Sequence, residues 1–98
     1  MAPGPAAGSL VTRLQMAGVG TRVLLAEDEP INREVARELL RNAGLDVDLA
    51  VNGVEAVTKA GSNAYDAILM DMQMPEMDGL EASRAIRQQP GGQSVPIL

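Results

Sequence analysis

The sequence predicts an α/β fold built on a parallel sheet. Three observations lead there. Val23-Leu24-Leu25-Ala26 and Ala67-Ile68-Leu69-Met70 are continuous apolar runs, the pattern of strands buried on both faces. Segments of helical period separate the strands, so the order is strand, helix, strand, helix, strand, helix, strand. Both buried-type strands end in acid, Glu27-Asp28 and Asp71, and sites in such sheets lie at the carboxyl ends of strands.

Each element has its own warrant. Residues 1–20 are rich in Pro and Gly and read as a linker or disordered tail. Folding is expected from Thr21. Glu27-Asp28-Glu29-Pro30 ends the first strand, and residues 31–43 have helical period. Ile31, Val35 and Leu39 fall at i, i+4, i+8, and Ala36, Leu40 and Ala43 widen that apolar stripe, which is expected to face the core. Glu34–Arg37 and Glu38–Arg41 are spaced for ion pairs, and Gly44 is placed to stop the helix. Leu45-Asp46-Val47-Asp48-Leu49 alternates apolar and acidic residues, as a half-exposed edge strand does. Asn52-Gly53 is a turn, residues 54–60 form a short helix with a Glu55–Lys59 pair, and Gly61-Ser62-Asn63 breaks it. Residues 72–79 form a loop rich in Met. Residues 80–88 form a third helix with Ala82, Ala85 and Ile86 on one face, and Pro90-Gly91-Gly92 ends it. Val95-Pro96-Ile97-Leu98 opens a fourth strand. Among the methionines, Met70 is expected in the core, and Met74 and Met77 as loop anchors. Tyr65 is expected to pack, and Lys59 to be a solvated helix charge.

Composition narrows the chemistry. A chain of 98 residues allows one small domain. With 13 acidic and 8 basic side chains the net charge is −5, which argues against nucleic acid and anionic membrane as partners. There is no Cys and no His, so thiol chemistry, disulfides, thiolate metal sites and imidazole catalysis are excluded. A metal would need oxygen ligands, which favours Mg²⁺, Mn²⁺ or Ca²⁺. No apolar run reaches membrane-spanning length and the start lacks a signal peptide, so a cytoplasmic protein is expected.

The acids are the candidate site. If the two strands are parallel neighbours, Glu27, Asp28 and Asp71 meet at one sheet edge. Three carboxylates together repel one another unless a cation sits among them, and Mg²⁺ suits such a set. A carboxylate beside the ion could attack a phosphoryl donor. The competing reading is that these acids only cap the helices that follow. Spacing does not decide between the two.

The motifs resemble a known family. Val23-Leu24-Leu25-Ala26-Glu27-Asp28-Glu29-Pro30-Ile31-Asn32-Arg33 is similar to the start of a response-regulator receiver domain of two-component signalling. Asn52-Gly53-Val54-Glu55-Ala56 resembles the family's second-helix motif. Residues 65–79, which contain Asp71-Met72-Gln73-Met74-Pro75, resemble its phosphorylation-site motif, and Pro96-Ile97-Leu98 the start of its fourth strand. The style is most similar to receivers of hybrid sensor histidine kinases.

That resemblance implies a flavodoxin-like doubly wound sheet of order 2-1-3-4-5. It implies Asp71 as phosphoacceptor, served by a histidine kinase or a histidine phosphotransfer domain. It implies Mg²⁺ or Mn²⁺ held by Asp28, Asp71 and the Gln73 carbonyl, with Glu27 acting through water. Gln73 would tune dephosphorylation, and Pro75 and Gly79 would shape the loop. The family's domain continues past this point. The resemblance therefore also implies that residues 21–98 lack the end of strand 4 and everything after it, including a Ser/Thr and a Lys of the family's site. It follows that the first helix should expose apolar surface and that a lone monomer should be marginal, so that the chain could dimerise through the strand 4 edge or an exchanged segment or adopt a partly altered packing. The domain would be a switch module with self-catalysed phosphotransfer, not a stand-alone turnover enzyme. Two other readings stay open. One is a non-phosphorylated receiver fragment acting only in protein–protein interaction. The other, ranked lower, is a Mg²⁺-dependent aspartyl-phosphate phosphatase.

Overall fold

Three parallel strands carry the molecule. The structure, a computed structural model, describes residues 21–74, 77–90, 92 and 95–98. The N-terminal segment read as a linker lies outside the described residues, as do Pro75 and Gly91. Strand β1 (Arg22–Ala26) is followed by helix α1 (Pro30–Asn42), β2 (Asp46–Ala50), α2 (Gly53–Ser62), β3 (Ala67–Met70) and α3 (Gly79–Arg87). The sheet order is β2-β1-β3, and both pairings are parallel. The fourth strand begins where expected: Ile97 bridges Ile68 in parallel, and Met70 donates to the Leu98 carbonyl at 2.9 Å.

The central strand explains its own composition. Leu24 and Ala26 point to one face, where Ile68, Met70, Ala56, Ala82 and Ile86 close a core under α2 and α3. Val23 and Leu25 point to the other, against Leu40, Leu45 and Ala67 beneath α1. Helices therefore cover both faces, which is why the strand is apolar at every position. β2 is the edge strand, as its alternating pattern predicts.

Several local expectations change. The stripe Ile31, Val35, Leu39 does not face the core: these residues are 71%, 56% and 61% exposed. Leu40 and Ala36 face the sheet instead. The helical period was right and its phase was not, because two apolar faces compete on α1 and the sheet covers the one nearer Leu40. The α2 helix runs through Gly61-Ser62, because the Ser62 hydroxyl donates to the Thr58 carbonyl and the Asn63 amide to that of Lys59. Glu34 pairs with Arg37, whereas no ion pair joins Glu38 and Arg41 among the described residues. Gly44, at φ 91°, ends α1 in the left-handed region that glycine favours.

Two polar links were not expected. Lys59 is no free surface charge: its amine donates to the Leu49 carbonyl and lies 3.5 Å from Glu55. It thereby ties α2 to the edge strand. One residue earlier on the same strand, Tyr65 donates to Asp48 at 2.7 Å, and Arg22 reaches the same Asp48 oxygen at 3.0 Å. The Arg22 guanidinium also stacks 5.4 Å from the centre of the Tyr65 ring. Burial and the Asp48 carboxylate push the Tyr65 phenol up to about 12, with Arg22 opposing.

Candidate functional site

Register brings the acids together. Ala26 lies opposite both Ala50 and Met70, so β1 and β3 end level. The ladder then runs on. The Glu27 amide donates to the Ala50 carbonyl and the Asp71 amide to the Ala26 carbonyl, both at 3.0 Å. Glu27, Asp28 and Asp71 are all half-buried, and each offers a carboxylate oxygen within 4.8 Å of the others.

Helix capping does not account for the three. Glu29 caps α1, accepting from the Asn32 amide at 2.7 Å, and Asn52 and Asp78 cap α2 and α3. Glu27 accepts from the Glu29 amide and Asp71 from the Gln73 amide, each at 3.2 Å. The Asp28 carboxylate accepts no hydrogen bond among the described residues. Burial pushes the Glu27 carboxyl above its ordinary range. A hydrogen bond with Asp71 and the charges of Asp71 and Asp28 push it the same way, and the Glu29 amide opposes them. The cluster is thus a set of hard oxygen donors whose mutual repulsion a divalent cation relieves. That donor chemistry fits Mg²⁺ or Mn²⁺ and offers nothing to a softer metal.

The chain returns to the Asp71 backbone at Gly79. A Cβ at Gly79 would collide with the Asp71 carbonyl oxygen and lie 2.8 Å from the Met72 Cα, so only glycine lets α3 start this close. Met74 is buried in the α2–α3 core and Met77 packs on it, as loop anchors should, whereas Met72 is exposed. The Gln73 side chain is exposed. Pro75 lies outside the described residues.

The family model for the response regulator receiver domain matches residues 23–98. The chain belongs to this family. Similarity of structure agrees. The receiver domain of the sensor histidine kinase PA1611 from Pseudomonas aeruginosa PAO1, with a magnesium ion coordinated in its active-site cleft, superposes with a TM-score of 0.79. It is 46% identical, over 81% of this chain and 65% of that one. The response regulator TrrA from Thermotoga maritima, in complex with Mg²⁺ and BeF, gives 0.67 at 41% identity, over 69% and 59% of the two chains. Among curated relatives, hybrid signal transduction histidine kinase B of Dictyostelium discoideum is 52% identical over 68% of this chain. The chain spans only 3% of that relative and 67% of the two-component response regulator ORR41 of Oryza sativa subsp. japonica, to which it is 52% identical.

The receiver fold is the flavodoxin-like one, and order β2-β1-β3 is its first part. Sequence reasoning missed two residues of this receiver domain's site. Glu29, not its neighbours, does the capping. Arg33 reaches back from α1 and donates to the carbonyls of Glu27 and Asp28 at 3.0 and 3.2 Å. A signal for Arg33 was available: a cation in the first turn of a helix opposes the macrodipole and so calls for a reason to be there.

Proposed function

We propose that this receiver domain accepts a phosphoryl group on Asp71 from a histidine kinase or a histidine phosphotransfer domain. The observation that carries this reading is the meeting of Glu27, Asp28 and Asp71 at the level ends of β1 and β3. An Asp71 oxygen attacks phosphorus, and the bond to the donor atom breaks with its electron pair leaving on the donor. Asp28, Asp71 and the Gln73 carbonyl would hold Mg²⁺ or Mn²⁺, with Glu27 acting through water. When bound, the ion supplies positive charge to the phosphoryl oxygens. Gln73, exposed two positions after the acceptor, is assigned to tuning dephosphorylation, and Pro75 and Gly79 to shaping the loop. The domain boundary falls at residue 21, and the location is cytoplasmic; among the described residues no helix is long and apolar enough to cross a membrane. The module switches and does not turn over substrate. It self-associates through the exposed edge at residues 95–98 or an exchanged segment.

Intact mass after incubation with Mg²⁺ and acetyl phosphate tests the central claim. The expected result is a gain of one phosphoryl group that Asp71→Asn abolishes. A folded chain that gains nothing moves the assignment to the interaction-only reading. Light scattering tests association, and a chain that remains monomeric on concentration overturns it.

A further inference from the structure

We propose that Arg33 is a positioning residue for the acidic loop. Its guanidinium holds the backbone on which Glu27 and Asp28 are presented to Asp71. The inference rests on the metal reading of the acid cluster and extends it to a residue outside that cluster.

The geometry is specific. One nitrogen, Nη1, donates to two successive carbonyls, those of Glu27 and Asp28. Successive carbonyls in an extended strand point in opposite directions. For one donor to meet both, the chain must turn between them, and that turn lies just past the ladder bond from Glu27 to Ala50. Drawing both carbonyls towards α1 leaves the two side chains to converge on Asp71 instead. The anchor is firm, because the Arg33 amide also donates to the Glu29 carbonyl at 2.9 Å as α1 begins. Glu27 and Glu29 are further linked by the hydrogen bond that the Glu29 amide donates to the Glu27 carboxylate. Among the described residues Arg33 makes no ion pair. Its placement in the first turn, against the helix macrodipole, is therefore not explained by a carboxylate partner. Its half-buried guanidinium serves the loop backbone.

Charge and position predict opposite signs. A cation near three carboxylates competes electrostatically with Mg²⁺, so its removal by charge alone should tighten Mg²⁺ binding. Loss of a group that positions the ligands should weaken it, by about ten- to a hundred-fold for residues of this kind. Isothermal titration calorimetry with Mg²⁺ on the native chain, Arg33→Gln and Arg33→Lys decides between them. The expected result is binding about ten-fold weaker in Arg33→Gln. Arg33→Lys keeps the charge and a multi-proton nitrogen but carries them on a flexible stem without the rigid planar group that fixes Nη1, and should fall between it and the native chain. If Arg33→Gln does not fold, the lysine variant alone carries the comparison. Unchanged or tighter binding in either folded variant overturns the proposal. A metal-free readout separates it from the metal reading itself. Amide hydrogen exchange at Glu29 should quicken in both variants, and unchanged exchange overturns the positioning role. A native chain that binds no Mg²⁺ overturns the metal reading, and the exchange at Glu29 then decides the role of Arg33 by itself.

Discussion

Tyr65 is the chain's one aromatic residue, so its ionisation can be read without interference. Its phenol is held neutral by burial and by the hydrogen bond to Asp48, so it should titrate near about 12 and not at the ordinary 10.0. The neutral form is the one that folding favours. The stabilisation is therefore fully present below the ordinary value and is lost as pH rises through the raised one. Phenolate absorbance during an alkaline titration should show this shift, and Asp48→Asn should move the midpoint back down. The acids respond to charge. Asp28→Asn removes one member of a repelling trio and should raise metal-free stability by about 1 kcal/mol or less, the scale of half-exposed charge pairs. The same change should abolish any stabilisation by Mg²⁺, and urea unfolding with and without the ion measures both. The acids were legible in the sequence because polar residues stand out after apolar strands. Their roles were not, since Glu29 could have exchanged duties with Glu27 or Asp28 at that level of description.

At the level of elements, α1 separates period from phase. Leu39 and Leu40 are neighbours in sequence, yet Leu39 faces solvent and Leu40 lies in the core. Leu40→Ala should cost about 2–5 kcal/mol in unfolding free energy, whereas Leu39→Ala should stay within about 0.5 kcal/mol. Denaturant midpoints read the contrast. The helix carries apolar residues on more than one side, so its periodicity alone could not say which side the sheet would take. Helix α3 makes the converse point. Ala82 and Ile86 are buried as their spacing predicts, and Leu80, the one other large apolar residue of that helix, lies off that face and is exposed. Its start is set by backbone proximity, which no periodicity reports. Gly79→Ala should therefore destabilise by about 1–3 kcal/mol, despite the better helix propensity of alanine, because a Cβ there meets the Asp71 backbone. A variant as stable as the native chain would show that α3 can shift at no cost.

For the whole molecule, the site and the fold share one stability. A divalent ion that binds only the folded acid cluster stabilises the chain by mass action, by about 2.7 kcal/mol at a hundred times its dissociation constant. Thermal unfolding should shift upward with Mg²⁺ in the native chain and remain unchanged in Asp71→Asn. The sheet is what makes this coupling possible, since two of the acids directly follow β1 and the third directly follows β3. The apolar face of Ile31, Val35 and Leu39 lies on the side of the sheet that α1 covers among the described residues, and α2 and α3 cover the other.

The succession of strands and helices along the chain, the buried character of β1 and β3, the edge character of β2 and the identity of the acids were written in local pattern. Each is a matter of which residues follow which, and a strand buried on both faces has few compositions open to it. The register that levels Ala26 with Met70, the face of α1 that meets the sheet, and the return of Arg33 to the Glu27 and Asp28 carbonyls were decided only by tertiary structure. These depend on distances between segments far apart in the chain, and close packing selects one arrangement among several that the local pattern allows equally well.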